Sequence, residues 1–248
     1  VTGPDAGPRE RELAAGLARV EERIAAACAA AGRAREDVTL IVVTKTYPAS
    51  DVRLLAGLGV RQVAENRDQE AAAKAAECAD LPLEWHFVGQ LQTNKVRSVA
   101  GYADYVHSVD RPRLATALSA AVQRRERPEL SCLLQVALEK DDPELRDQGG
   151  RGGAAPGEVP GLAEAVLRAP GLRLAGLMTV APLDGAYAGR PAAAFARLMD
   201  ISRSLRVTAP AATMVSAGMS ADLEEAIAAG ATHVRVGSAV LGVRPQLR

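Results

Sequence analysis

The 248-residue chain has no field of one sign: Lys and Arg together number 30, and so do Asp and Glu. With a formal charge of zero there is no whole-protein attraction to nucleic acid or to an anionic membrane, so any bound anion must be held by a local site. Long apolar runs are missing too. No stretch approaches the roughly 20 residues that span a bilayer, and the N-terminal VTGPDAGPRE lacks the apolar core of a secretory signal. The expectation is a cytoplasmic protein with neither membrane nor nucleic acid among its partners. Cysteine is scarce, at Cys28, Cys78 and Cys132 only, widely separated and without the C-x-x-C spacing of a metal or redox pair. The three are expected to be buried or half-buried thiols. A repeat of solenoid length is absent as well.

What the chain does have is apolar content, 48%, sufficient for an extensive core. Residues from about Arg9 to Ala31 carry Leu13, Leu17, Val20 and Ile24 at helical spacing among Glu and Arg, and Gly32 is a natural stop. After this helix, short apolar runs alternate with longer amphipathic ones: VTLIVVT, then ASDVRLLAGLG, then VRQVAEN, and so on to THVRVGSAV. That is the rhythm of a parallel sheet with crossover helices, and about eight strands in this length close a barrel. An open doubly wound sheet is the alternative. The fold class is therefore α/β, a single (β/α)8 TIM-type barrel with an additional N-terminal helix, residues 1–8 being a flexible N-terminus and 9–248 the barrel. The Gly- and Pro-rich segment from Lys140 to Pro160 follows the fifth strand on the side where barrels carry their sites, and reads as a candidate lid.

Catalytic or binding groups gather at the C-terminal ends of barrel strands. The first strand ends at Lys45, which shares parity with Ile41 and Val43. A partly desolvated amine near another cation becomes nucleophilic toward an aldehyde; a strand-end lysine that merely snorkels to solvent is the commoner case by position alone. At the eighth strand end, Gly237 and Ser238 open a short helix, the usual place for a phosphate in a barrel, and the neighbouring SAGMSAD adds Ser216, Gly218 and Ser220, with Asp222 able to cap the next helix. Arg235 lies two residues before Gly237 on the same strand face. A buried arginine needs an acceptor, either a neutral ring nitrogen bound beside the phosphate or an internal carboxylate such as Glu65. Asn66 flanks a bound ring, braces Lys45 or caps the following helix. His86 and His107 read as hydrogen-bonded imidazoles, and Met178, Met214 and Met219 as packing.

Taken together, VTKTYP, AENRDQEAAAK, EWHFVGQLQTNK, VHSVDR, GLMTVAP and SAGMSADLEEAIAAGATHVRVGSAVLG resemble the pyridoxal 5'-phosphate homeostasis proteins, whose fold is similar to the barrel domain of alanine racemase. The resemblance runs from about Leu40 to Gly242. It implies pyridoxal 5'-phosphate as cofactor, held as an internal aldimine on Lys45, in a protein that manages the intracellular supply of the cofactor and amino and keto acid balance with little or no catalysis. Asn66 then lies near the ring, although Ala64 stands where the family's GEN motif has Gly. Phosphate binders fall on Ser216, Met219, Ser220, Gly237 and Ser238, and Arg235 faces the pyridine nitrogen. Amino acids and recipient apo-enzymes are the implied partners, and a monomer the implied state. The enzyme alternative is a racemase of the alanine racemase type, which adds a C-terminal β-domain with a catalytic tyrosine; this sequence stops at Arg248. A Schiff-base aldolase would share the lysine but has no need of Arg235 beside a phosphate cup.

Overall fold

The computed structural model describes residues 7–125, 128–145 and 152–242. Eight strands, β1 (Thr39–Val43), β2 (Gln62–Glu65), β3 (Glu84–Phe87), β4 (Tyr105–Val109), β5 (Leu130–Gln135), β6 (Leu172–Met178), β7 (Met214–Ser216) and β8 (His233–Val236), form a closed barrel in chain order. Every pair is parallel, and β1 closes on β8 with Ile41 opposite Arg235. The expected (β/α)8 architecture is what the chain adopts.

Helix α1 (Pro8–Ala30) precedes β1, as expected, and Gly32 after it takes a positive φ. Between strands run α2 (Ala49–Gly57), α3 (Asp68–Glu77), α4 (Val96–Tyr102), α5 (Pro112–Gln123), α6 (Val159–Leu167), α7 (Pro191–Thr208) and α8 (Leu223–Ala229), and α9 (Ser238–Leu241) follows β8. Alternate strand residues separate two environments. Outward-facing Val42, Val63, Val234 and Val236 pack with helix residues such as Leu13, Val20, Ile24, Leu55 and Val240. Inward-facing Ile41, Val43 and Ala64 pack together on one side of the interior, and Leu133, Ala175 and Met178 on the other.

Helix α1 seals the β8/β1 seam. Gly16 lies so close to α9 that a Cβ there would sit 2.2 Å from the carbonyl oxygen of Val240, so only glycine permits this approach. Arg9 donates to Asp51 at 2.6 Å and to the Leu241 carbonyl at 3.1 Å, joining α1 to α2 and α9. Cys28, Cys78 and Cys132 are all buried, as anticipated.

Of the candidate lid, residues 146–151 lie outside the described residues, as do 1–6 of the N-terminal segment; Pro8 already belongs to α1. The described part of the lid is anchored: Arg197 of α7 donates to Asp141 at 2.8 Å, and the Tyr187 hydroxyl donates to the same carboxylate at 3.3 Å. No helix among the described residues is long and apolar enough to cross a membrane.

Candidate functional site

At the C-terminal mouth of the barrel lies a cavity of about 430 Å³, the size of a small-cofactor site. It is lined by Lys45, Asn66, Met219, Ser220, Arg235, Gly237 and Ser238 from the sequence expectation, together with Val43, Tyr47, Val88, Gly89, Met178, Val180 and Ala221.

The first strand ends at Val43, two residues short of the expected Lys45, because the ladder gives way to a turn. Thr44 still donates its N–H to the Ala64 carbonyl at 2.9 Å, and its hydroxyl donates to Glu65 Oε1 at 2.6 Å. Thr46 then adopts φ 69°, a left-handed conformation that costs a β-branched residue on the order of 1–3 kcal/mol. Helix α3 holds this turn from both sides of the lysine. Lys74 donates to the Thr44 carbonyl at 2.9 Å, while Glu70, four residues earlier on the same helix face, accepts the Thr46 N–H at 3.3 Å. Half-buried Lys45 is thus presented to the cavity by a fixed and strained loop.

Glu65 is not the partner of Arg235. It faces outward from β2, whereas Arg235 faces inward from β8, and strand parity keeps them on opposite sides of the sheet. Its partner is Lys74, which donates to Oε1 at 2.5 Å between β2 and α3, with both side chains buried. Burial pushes the Glu65 carboxyl upward, opposed by hydrogen bonds from Lys74 and Thr44.

Arg235 is 4% exposed and forms the cavity floor. Nη1 donates to Ser216 Oγ at 2.7 Å and Nη2 to the Thr179 carbonyl at 2.9 Å. Neither is a carboxylate, and burial lowers the guanidinium to about 10, with Asp222 acting weakly in the other direction. A guanidinium has five N–H groups, so donors remain for an acceptor in the cavity.

Of the two glycine- and serine-rich turns, Ser220 after β7 and Gly237 and Ser238 after β8 line the cavity. Ser216 and Gly218 do not line it. The Ser216 side chain is fully buried beneath, bound to Arg235 and His107. Gly218 accepts the Arg235 N–H at 2.9 Å; its φ of 89° and a Cβ position 2.6 Å from the Ala226 methyl both demand glycine. Asp222 occupies the N-cap position of α8, but its carboxylate turns back to accept the Met219 N–H at 2.6 Å instead of capping the helix. That bond shapes the turn carrying Met219 and Ser220. Asn66 caps nothing, since the N-cap position of α3 is Arg67, and it stays at the cavity wall.

Tyr47, Val88 and Gly89 carried no signal in the sequence because they are ordinary core and turn residues, placed here only by closure of the barrel. Tyr47 donates its hydroxyl to the Gly242 carbonyl at 2.8 Å, and the Arg9 guanidinium lies 5.7 Å over its ring. Met178 is both core and cavity wall. Among the described residues no cluster of His, Cys, Asp and Glu could hold a metal ion.

Residues 17–245 match the family model described as alanine racemase, N-terminal domain. The chain is 43% identical over 232 residues to the pyridoxal phosphate homeostasis protein of Pseudomonas aeruginosa, covering 94% of this chain and 96% of that one. It is 42% identical to the protein of the same name from Mycobacterium tuberculosis, over 95% and 94% of the two. Among solved structures it is similar to PipY of Synechococcus elongatus with PLP bound, at 34% identity and a TM-score of 0.75, covering 93% of this chain and 100% of that one. The chain belongs to the pyridoxal phosphate homeostasis proteins, built on the barrel of the alanine racemase N-terminal domain.

Proposed function

We propose that this chain holds pyridoxal 5'-phosphate in the mouth of its barrel as an internal aldimine on Lys45, and serves intracellular pyridoxal phosphate homeostasis and amino and keto acid balance with little turnover of its own. The observation that carries the reading is the convergence of Lys45, Arg235 and the Ser220/Ser238 turns on one cavity. The donor set fits the group: an amine for an aldehyde, backbone and hydroxyl donors for a phosphate, and a buried guanidinium with donors to spare for a ring nitrogen. Asn66 flanks the bound ring, Met219 joins Ser220 in the turn that holds the phosphate, Ser216 and Gly218 support the floor, and residues 9–248 act as one binding unit. The relatives' names, and the PLP bound in PipY, support the same ligand.

Weak catalysis follows from the floor. When bound, the cofactor supplies an electron sink to an attached amine, and a donor that does not protonate its ring nitrogen keeps that sink shallow. Two-base racemisation also requires a proton-transfer group on each face of the substrate. Among the described residues that line the cavity, the acid/base groups are Lys45, Tyr47 and Arg235, and the Tyr47 hydroxyl is already bonded to Gly242. A cytoplasmic monomer that passes cofactor to recipient apo-enzymes is the setting we infer.

The test is spectroscopic. Purified protein given pyridoxal 5'-phosphate should show an absorbance band near the visible edge that hydroxylamine discharges and that borohydride fixes onto Lys45. A Lys45→Ala variant that keeps the band would overturn the assignment. Incubation of the loaded protein with L-alanine should leave optical rotation nearly unchanged, and rapid loss would revive the racemase.

A further inference from the structure

Beneath the cavity, the barrel interior holds a line of polar side chains that crosses from one end of the barrel to the other. Gln62, at the start of β2, donates Nε2 to the exposed carboxylate of Glu84 at 2.5 Å. Its Oε1 contacts His86 Nε2. His86 Nδ1 lies 2.8 Å from His107 Nε2, and His107 Nδ1 lies 3.0 Å from Ser216 Oγ. Ser216 in turn accepts from Arg235.

The direction of every proton in this line follows from its far end. A carboxylate only accepts, so Gln62 must turn its amide NH₂ to Glu84 and its carbonyl to His86. A carbonyl only accepts, so His86 Nε2 carries a hydrogen. His86 and His107 are fully enclosed, and burial holds both imidazoles neutral, each with a single N–H. His86 Nδ1 is therefore an acceptor, and His107 Nε2 must donate to it. His107 Nδ1 is then an acceptor in its turn, and takes the hydroxyl proton of Ser216. With that proton spent, the Ser216 oxygen offers only lone pairs to Arg235. The reverse polarity would set a ring-nitrogen lone pair against the Gln62 carbonyl.

We infer that Gln62, His86, His107 and Ser216 are positioning residues for Arg235: a hydrogen-bond relay polarised from Glu84 that presents a lone pair to the guanidinium, holds it in one orientation and so leaves its remaining N–H groups to meet an unprotonated acceptor atom in the cavity. Each dipole in the line points its negative end toward Arg235, so the relay compensates a buried cation that contacts no carboxylate among the described residues. For the ligand, the inference rests on the reading of this cavity as the pyridoxal phosphate site. The relay itself does not.

Two measurements test it. The first is long-range ¹H–¹⁵N correlation on the wild-type protein without ligand at neutral pH. Both His86 and His107 should appear as neutral Nε2–H tautomers; an Nδ1–H tautomer or a cation at either position overturns the relay, whatever the cavity binds. The second compares the affinity for pyridoxal 5'-phosphate with that for its N1-methylated analogue, which lacks the lone pair. Wild type should favour the unmethylated form by at least about tenfold, because methylation leaves a buried donor unpaired. His107→Leu breaks the line and should bring the ratio toward one. His107→Gln offers a donor and an acceptor on one side chain and should restore most of it. An unchanged ratio in a His107→Leu protein that keeps its melting transition overturns the inference. If wild type binds neither compound, it is the cofactor reading that fails, and the tautomers still decide the relay.

Discussion

Lys45 is one amine among several on the surface and rim of the molecule, and what distinguishes it is the loop that carries it. Thr44 and Thr46 are pinned to α3 by Lys74 and Glu70, and φ at Thr46 is one that threonine adopts only under constraint. Removing the constraint should be costly. Lys74→Met leaves the Glu65 carboxylate buried without its counter-ion, and a broken buried pair costs about 3–5 kcal/mol; urea unfolding should show a lower midpoint and a loss of unfolding free energy of that size. Replacing Glu65 by Gln in the same chain should recover part of it, and a single Lys74→Met variant as stable as wild type would show that the pair does not hold the loop. Pyridoxal should bind far more weakly than pyridoxal 5'-phosphate, through loss of the contacts at Ser220, Gly237 and Ser238, as read by equilibrium dialysis. Equal affinities would mean that the two turns do not form a phosphate cup. Much of this site was legible in the sequence, because period-two alternation fixes which way Lys45 and Arg235 face. The same alternation, followed one strand further, excludes Glu65 as the partner of Arg235. The tether of Asp222 to Met219 and the wall formed by Tyr47, Val88 and Gly89 were not legible, since they depend on turns whose side chains meet only in three dimensions.

The elements follow from the apolar rhythm, and the strand count of eight needs little more than the alternation of short β-branched runs with longer amphipathic ones. The edges of elements are less predictable. The first strand stops at Val43 because Thr44 keeps only its N–H bond to Ala64 while its carbonyl accepts from Lys74 and its hydroxyl donates to Glu65, a choice that periodicity does not register. The packing of α1 on α9 is similarly silent in sequence, because a lone glycine in a helix reads as a weakness until its neighbour is known. Here it is the contact point. Gly16→Ala would gain helix propensity of about 1 kcal/mol in isolation, yet its methyl would meet the Val240 carbonyl. The expected outcome is net destabilisation, with α9 displaced and Ser238 with it. Thermal melts with and without pyridoxal 5'-phosphate should show both a lower midpoint and a smaller ligand-induced rise; a raised midpoint would show that α1 can retreat freely.

At the scale of the whole molecule, charge balance hides a strong pH dependence. Burial lowers His86 to about 3 and His233 to about 4, and holds His107 well below its ordinary value. In the unfolded chain each imidazole titrates near 6.5. The unfolded state therefore binds more protons as pH falls below that value, while the folded state does not. The stabilisation is fully present above about 6.5 and is lost on acidification toward the folded values, at roughly 1.4 kcal/mol per pH unit for each histidine that titrates only when unfolded. The midpoint of thermal unfolding should fall steadily from pH 7 to pH 5, before most carboxylates titrate. A flat profile across that window would mean that the histidines are not buried in neutral form.

Closure between β1 and β8 has a consequence for how the protein is made. Lys45 leaves the ribosome early, while Arg235, Gly237 and Ser238 come almost 200 residues later. At about 5–20 residues per second of synthesis, the lysine waits roughly 10–40 s for the strand that completes its pocket. During that interval β1 has an unpaired edge and the nascent chain has no assembled cup for a phosphate. Capture of the ligand is therefore a property that a nascent chain acquires last, and a pulse of cofactor during translation would label finished molecules and leave growing ones unmarked.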